Sequence, residues 1–592
     1  MEQWFIKNRQ MNFDAIGRQF GVSPVLARLV VNRGGVTQEA FDAYINGGKE
    51  RFYNPCLLKD AEKLCRLLLA KIEVGSRVRI IGDYDVDGIT ATYIYFRMLK
   101  RLGADVDYRI PDRVQDGYGI HAGMIDEAAG DGVDTILTCD TGIAAIEETV
   151  YAAEKGIELL ITDHHNLVYK EGDDGKKVYC LPGAAAVVDP KQEDCPYPFK
   201  GICGAAVAYK IACLCYEQKG ISLEETDEFL DLAALATVCD VMELTDENRA
   251  LVRVGLAGLQ RTRNIGLRAL IEETVGSAGR LTSYHLGFVI GPCINATGRL
   301  ETADLGMELL LSDSLEEARK LACRLRDLNE ERKELTRQGV EQAIAYIRKE
   351  RMEEDPVLVV YLPDCHESLA GIIAGRIREA FHRPAIVLTR SRDGLKGSGR
   401  SIPAYPMYDR LTGCRQYLTR FGGHPMAAGL SLAPENLDGF REALTRGADL
   451  AEEDFAERVS IDMSLPFEEV TQDLILSLQR LEPFGNGNPK PQFVLKNVSV
   501  RRASVLGANR GLLKLTLSDP EHNPYLFLDG VLFQESRINE WMNSMEEKFG
   551  REAVEAALAG KKNPIQMDIV YTPELHEYNG KFYIQLCISH YR

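Results

Sequence analysis

The sequence predicts an α/β protein: a parallel-sheet domain, a long helix leading to a second, smaller α/β domain, and a C-terminal β-barrel. Three observations carry that prediction. Between residues 77 and 188, short β-branched runs alternate with helical stretches, as parallel strands with crossover helices require. From Ser314 onward, Leu321, Leu325, Leu328 and Leu335 mark one face of a long amphipathic helix. Beyond Pro489 the apolar runs are strand-like and follow a boundary rich in turn formers.

Taken in order, residues 1–50 read as an N-terminal helical segment, with Ser23-Pro24 opening one helix and Thr37 another. Residues 51–312 form the first α/β domain, with strands at 77–81, 134–138, 158–162 and 185–188. Ser314 and Glu317 make a capping box for a connecting helix, 313–352. The second α/β domain, 353–450, opens on strands at 357–361 and 385–388. Residues 451–489 read as a linker, acidic at Glu452-Glu453-Asp454 and ending in Pro483-Phe-Gly-Asn-Gly-Asn-Pro489. Residues 490–592 supply the barrel.

Hydrophobic residues make up 45% and charged residues 27% of the 592, which argues against a disordered chain. No apolar run reaches the ~18 residues of a membrane helix, and the N-terminus lacks a secretory-signal pattern. A multidomain cytoplasmic protein with no membrane contact is expected. The net charge of −18 argues against a general nucleic-acid coat, whose affinity comes from Lys and Arg. It leaves room for carboxylates that hold cations, because an occupied site presents positive charge to a phosphate. The 14 Cys form no paired C-x-x-C framework and read as buried reduced thiols.

The chemistry concentrates in Ile81-Gly82-Asp83-Tyr84-Asp85-Val86-Asp87-Gly88. Three Asp at alternate positions directly follow an apolar strand, at the edge where open α/β sheets bind ligands. Like charges this close repel unless cations neutralise them, so metal ligation by oxygen donors is one reading. A solvated turn or a calcium loop is the other. Ile89-Thr90-Ala91-Thr92 disfavours the loop, since the Glu that closes a twelve-residue EF-hand loop is missing. Two further strands favour metal. Asp140, followed by Thr141 and Gly142, ends the next apolar run, and Asp163-His164-His165 ends the one after. Asp240 closes a fourth apolar segment. Carboxylates mixed with neutral imidazole suit Mn²⁺ or a comparable divalent ion.

Asp83-Tyr-Asp-Val-Asp-Gly88, Asp140-Thr-Gly142, Asp163-His-His165 and Asp240-Val-Met242 resemble the four motifs of the DHH phosphoesterases. Pro111-Asp-Arg113 with Asp116-Gly-Tyr-Gly119, and Gly291-Pro-Cys-Ile-Asn295-Ala-Thr-Gly-Arg299, extend the resemblance. So do Gly397-Ser-Gly-Arg-Ser401, Gly422-Gly-His424 and Pro483–Pro489, and together they cover almost the whole chain. The branch resembled is that of the bacterial single-strand-specific exonucleases. The resemblance implies a DHH catalytic domain, a DHH-associated substrate-binding domain and an OB-fold barrel, in that order. It implies a metal-dependent 5′→3′ exonuclease that hydrolyses single-stranded DNA in repair and recombination, with two Mn²⁺ or Mg²⁺ ions. Asp87, Asp140, His164 and Asp240 would enclose one ion, and Asp85 with the shared Asp140 the second. Asp83 and His165 would act beside them, His165 toward the scissile phosphate, while Asp163 fixes an imidazole tautomer. Arg113, Asn295, Arg299, His366, Arg376, Ser398, Arg400, Ser401 and His424 would bind substrate. A single-strand-binding protein and a helicase are implied as partners. His366-Glu-Ser-Leu-Ala-Gly371, Glu243 and Thr297 depart from the family pattern, and Glu367 is expected to shift how the second domain holds a phosphate.

Between Arg383 and His424, eight Arg or Lys stand against Asp393 and Asp409, a local balance of +6. Residues 397–401 read as a flexible loop facing phosphate oxygens, or as a plain Gly turn. In the barrel, Lys490, Lys496, Arg501, Arg502, Arg510 and Lys514 form a second basic region, suited to a single strand or to solvation. Competing readings are a DHH nanoRNase or cyclic-dinucleotide phosphodiesterase, a pyrophosphatase, and a catalytically inactive DNA-binding relative. The first two need no barrel. The last would not need the full set of Asp and His.

Overall fold

The computed structural model describes residues 2–592 except 172–175, 278, 393, 508–510 and 579, so Asp393 and Arg510 lie outside the described residues. The chain divides into two compact units. One holds Gly48–Ala456 and Gly485–Gly487; the other holds the N-terminal segment through Gly47, Glu457–Phe484 and Asn488–Arg592.

The chain begins with β1 (Glu2–Ile6), α1 (Phe13–Phe20), α2 (Pro24–Asn32) and α3 (Gln38–Asn46). Asn12, Ser23 and Thr37 cap these helices through side-chain oxygens that accept a first-turn amide. Residues 1–50 thus carry a strand, β1, beside the expected helices. The first of the two five-stranded sheets of the Gly48–Ala456 unit contains β2 (Arg77–Ile81), β3 (Asp105–Arg109), β4 (Thr135–Cys139), β5 (Glu158–Thr162) and β8 (Ala186–Val188). They run parallel in the order β3-β2-β4-β5-β8. All five residues of β4 are buried, as expected for a central strand covered on both faces. Between β5 and β8, β6 (Val168–Glu171) and β7 (Lys177–Cys180) pair as a separate antiparallel ribbon.

One face of that sheet is covered by α4 (Val86–Arg101) and α5 (Gly204–Gln218), with α6 (Asp227–Cys239) packed on both helices; Ile89, Ile94, Val207, Leu232 and Leu235 share one core with the sheet. After α7 (Gly291–Leu300) comes the long helix α8 (Leu315–Lys349), capped by the Ser314 hydroxyl, which accepts the Glu317 amide at 3.4 Å. The second sheet comprises β9 (Leu358–Tyr361), β10 (Ala385–Ser391), β11 (Gly394–Arg400), β12 (Leu418–His424) and β13 (Ala427–Leu432). Its order is β12-β13-β11-β10-β9, with α9 (Ala370–Phe381) between β9 and β10 in sequence. Residues 397–400 are therefore strand, not the expected flexible loop. Gly397 serves packing: a Cβ there would lie 2.5 Å from Leu388 Cδ2 and 2.6 Å from the Val387 carbonyl oxygen.

The other unit holds β14 (Glu457–Ile461), β15 (Met463–Ser464), β16 (Phe493–Leu506), β17 (Leu512–Asp519), β18 (Asn523–Phe533), β19 (Gln566–Tyr578) and β20 (Lys581–Tyr591). Strands pair in the order β15-β16-β17-β18-β20-β19, and β16 also pairs with β19, which closes the barrel. Leu26, Leu29, Val30 and Phe41 share a core with Phe493, Leu515 and Trp541. Arg33 also donates to Asp462 and to Asn488. The N-terminal helices and Glu457–Phe484, read from sequence as a separate segment and a linker, are thus parts of the barrel unit; the apolar face of α2 needs the barrel core to bury it. Among the described residues, no helix is long and apolar enough to cross a membrane. The 14 Cys are all unbonded.

Candidate active site

The register of the first sheet sets the site. Ile81 pairs with Thr138 and Cys139 with Thr162, so β2, β4 and β5 release Asp83, Asp140 and Asp163 along one carboxyl edge. The chain turns into α4 through Asp85, whose carboxylate accepts the Asp87 and Gly88 amides at 2.9 and 3.1 Å. Asp87 in turn accepts the Gly204 and Ala205 amides at the start of α5, both at 2.7 Å. Gly204 also lets Asp140 pack against the start of α5, since a Cβ there would lie 2.7 Å from the Asp140 Cβ. Asp140 itself has φ 58°, a left-handed conformation that Asp adopts more readily than most residues. His164 Nε2 lies 2.9 Å from Asp140, 3.5 Å from Asp87 and 3.7 Å from Asp240, the residue that ends α6.

Three donor sets result, each with its ligand atoms within 4.8 Å of one another: Asp87, His164 and Asp240; Asp83, Asp85 and Asp140; Asp140, His164 and His165. Asp140 belongs to two of them. Asp83, which the sequence reading set beside the ions, lies among the donors.

Burial and repulsion dominate the electrostatics. Burial, with Asp87, Asp85 and Asp83 nearby, holds Asp140 well above the ordinary carboxylate range. Burial and Asp85 raise Asp83, whose Oδ1 is buried without a hydrogen-bond partner. Burial, Asp87 and Asp85 push Asp240 up to about 8. Among the described residues, the cationic groups within 4.0 Å of Asp87, Asp140 and Asp240 are imidazoles, with no Lys or Arg. Carboxylates so short of counter-charge fit divalent cations, and oxygen donors with imidazole suit Mn²⁺ or Mg²⁺. Burial lowers His164 to about 4, which keeps its ring neutral and able to act as a ligand.

Asp163 is differently placed. It accepts from the Ile143 amide at 2.9 Å, the His164 amide at 2.7 Å and His165 Nδ1 at 2.7 Å. Burial opposes its charge, yet the His165 hydrogen bond and charge hold it at about 2. Burial also opposes charge on His165, but Asp163 outweighs it and raises the imidazole to about 9. Asp163 therefore orients the His165 ring and holds the backbone of both His residues.

Cations converge beside this cluster from three segments. Arg113, in the loop after β3, stacks over the Tyr84 ring at 4.6 Å. Arg299, in the last turn of α7, donates to the Ser368 carbonyl at 2.6 Å, and the Ser368 hydroxyl donates back to the Arg299 carbonyl at 3.1 Å. Arg400, at the end of β11, donates to Ser398 Oγ at 2.9 Å. Burial, then Arg113, lowers Arg299 to about 9, and the same two causes lower Arg400. Burial, then Arg400, lowers His424. Arg113 also lowers Asp83 against the burial that raises it, so the guanidinium group adjoins the carboxylates. Guanidiniums that repel one another complement a multiply charged anion.

Family models match along the chain: the DHH family N-terminal domain over residues 77–237, the DHHA1 domain over 354–447, and the RecJ OB domain over 461–590. The single-stranded-DNA-specific exonuclease RecJ of Escherichia coli (strain K12) is 31% identical over 590 residues, covering 96% of this chain and 95% of that protein. The chain belongs to the RecJ family. Its match to RecJ of Bacillus subtilis (strain 168) is 35% identical over 530 residues, and covers 89% of this chain but 65% of that protein. A crystal structure of RecJ from Thermus thermophilus in complex with Mn²⁺ superposes with a TM-score of 0.78 at 26% identity, over 100% of this chain and 79% of that one. A second RecJ crystal structure, bound to manganese, gives a TM-score of 0.58 at 32% identity, over 67% of this chain and 96% of that one.

Within the RecJ-family frame, the expected substrate residues separate. Arg113, Arg299, Ser398, Arg400 and His424 gather, and His366 Nδ1 joins them through Ser368 Oγ at 2.8 Å. Asn295 Oδ1 accepts the Val86 amide at 3.2 Å, so it positions the start of α4. Arg376 pairs with Glu379 on its own helix at 3.0 Å. Ser401 is fully buried and donates to the Tyr405 carbonyl, which takes its hydroxyl away from a phosphate. Glu367 holds Lys396 at 3.1 Å. Tyr118, whose hydroxyl lies 3.1 Å from His165 Nδ1, and the Gly204 and Ala205 amides join the site without having been legible in the sequence. Tyr118 stood inside the quoted Asp116-Gly-Tyr-Gly119 segment, but a loop sequence does not say which ring its tyrosine reaches.

Proposed function

We propose that the chain is a metal-dependent exonuclease that degrades single-stranded DNA from the 5′ end. The carrying observation is the junction, within one unit, of the carboxylate–imidazole cluster with Arg113, Arg299 and Arg400. Asp87, His164 and Asp240 would hold one cation, and Asp83, Asp85 and Asp140 the other, with Asp140 within reach of both. Bound Mn²⁺ or Mg²⁺ supplies an activated water and neutralises charge on the attacked phosphate.

The remaining work falls to protein groups. The α5 amides and the helix cap fix Asp87 and Asp85, so the cluster is preorganised before any cation arrives. Asp163 and Tyr118 hold His165 in one orientation, toward a phosphate oxygen beside the carboxylates. Arg113, Arg299 and Arg400 clamp the terminal phosphate one nucleotide away from the bond to be cut. A terminal phosphate offers these guanidiniums more charge than a phosphodiester does.

The RecJ-family resemblance supports the reading of 5′ polarity, of a role in repair and recombination, and of a single-strand-binding protein and a helicase as partners that would present unwound strands. A nanoRNase or cyclic-dinucleotide activity would leave the closed barrel of the second unit without use. Incubating single-stranded and duplex oligonucleotides with the protein, with Mn²⁺ and with chelator, tests the reading. Mononucleotide release from the single strand alone, and only with Mn²⁺, is expected. Equal attack on duplex, or cleavage in chelator, contradicts it.

A further inference from the structure

We propose that the β6–β7 ribbon is a docking surface for the undigested part of the nucleic-acid strand, stacking an unpaired base on Tyr169 and Tyr179 and meeting a phosphate with Lys177. This rests on the nuclease reading above. β5 is followed directly by Asp163-His164-His165, and β6 begins three residues after His165. Leu167, only 9% exposed, roots the first foot of the ribbon in a small cluster with Ile143, Ile161 and Val187, and Ala184 beyond β7 packs there too. Ile143 is the residue whose amide holds Asp163. The ribbon therefore rises from the carboxyl edge of the sheet, beside the candidate metal ligands. Tyr169 is four residues from His165, at most about 14 Å of chain.

The register places Tyr169 directly opposite Tyr179. Side chains alternate across a ribbon, so these two rings and Lys177 share one face. The rings meet at 6.1 Å and 72°, and Lys177 Nζ lies 4.1 Å from the Tyr169 ring centroid. Tyr169 is 41% and Tyr179 37% exposed, and Val178 on the opposite face 55%. Among the described residues, β6 and β7 pair as strands only with each other. A two-stranded ribbon is marginal by itself, and the cross-strand Tyr169–Tyr179 pair steadies it while leaving both rings partly open to a ligand. Aromatic faces beside a lysine are the chemistry that binds single strands, because every base has a stacking face and every linkage a phosphate.

Sheet order selects the occupant. Along the carboxyl edge the order is β3-β2-β4-β5-β8. Arg113 follows β3, the candidate metal ligands of this sheet follow β2, β4 and β5, and the ribbon lies between β5 and β8 in sequence. A strand with its terminal phosphate at Arg113 and its scissile phosphate at the carboxylates leaves on the ribbon side. The ribbon thus holds the retained strand, not the released nucleotide.

The test compares 5′-phosphorylated trinucleotide and 20-mer DNA as substrates of the full chain with Mn²⁺. Tyr169→Ala/Tyr179→Ala is expected to raise KM for the 20-mer about fivefold or more, with kcat and the trinucleotide KM unchanged. Tyr169→Phe/Tyr179→Phe, which keeps both rings, is expected to keep the wild-type KM. Lys177→Ala is expected to flatten the salt dependence of 20-mer binding by a slope of about 0.7. An equal rise in KM on both substrates, or none on either, overturns the proposal. If wild type cleaves no DNA, the nuclease reading fails separately. Fluorescence anisotropy of a labelled 20-mer then decides: weaker binding by the double-Ala variant supports the ribbon, and unchanged binding overturns it.

Discussion

Asp140→Asn separates the chemistry of the carboxylate cluster from its role in folding. The substitution removes one charge but keeps an oxygen for His164 Nε2, now 2.9 Å away, and Asn also accepts the φ of 58°. Asp83, Asp85 and Asp140 have ligand atoms within 4.8 Å of one another, so each ionised pair repels by about 3.5 kcal/mol or more at an effective dielectric of 20. Proton uptake caps the relief seen at neutral pH, as the raised Asp140 and Asp83 already imply. In chelator, Asp140→Asn is therefore expected to melt at or above the wild-type temperature. With Mn²⁺ it should gain less in melting temperature than wild type, because both cation sites lose a ligand. Its kcat/KM on single-stranded DNA should fall at least about a thousandfold at saturating Mn²⁺, roughly 4 kcal/mol of transition-state stabilisation. Differential scanning fluorimetry and labelled-strand kinetics on the same preparations supply both readings. A melting temperature well below wild type in chelator refutes the repulsion argument, and activity within tenfold of wild type refutes the shared-ligand assignment.

Arg299→Ala and Arg113→Ala are each expected to raise KM for 5′-phosphorylated strands about tenfold or more, and to erase the preference over 5′-hydroxyl strands; a preserved preference contradicts the clamp. Ser401→Ala should leave KM unchanged while lowering stability by about 1–3 kcal/mol in denaturant titration, because the buried Tyr405 carbonyl loses its donor. The metal-free protein should lose stability between about pH 6.5 and 8. Asp240 is raised to about 8 and His165 to about 9, and a raised folded-state pKa contributes stability that is lost as pH rises through it. The lowered His164 works oppositely, but only below about 6.5. Melting in chelator across that window reads the slope, and a rise would contradict it.

Much of this site was legible because a parallel sheet converts sequence into position. An apolar run followed by Asp places that Asp on the carboxyl edge, so Asp83, Asp140 and Asp163 could be grouped before their strands were paired. Asp240 ends a helix, yet the same sign, an apolar segment closing on a carboxylate, found it. What sequence could not give was the partner of each side chain. Asp163 looks like the other carboxylates in the chain and is spent on amides and His165, whereas Asp83 turns out to lie among the donors. Gly397 and Gly399 read as flexibility because glycine in a loop and glycine beneath a packed neighbour are spelled alike. The N-terminal helices read as a separate segment because their apolar faces do not reveal which core, more than 400 residues later, buries them.

The most direct test of the account is the order in which label leaves a single strand. With Mn²⁺ and 5′-phosphorylated oligonucleotides, a label in the 5′-terminal nucleotide should be released first as mononucleotide, while a 3′ label stays on a shortening ladder. Early loss of the 3′ label, or internal fragments that keep both ends, would contradict a 5′-end clamp set one nucleotide from the carboxylate cluster.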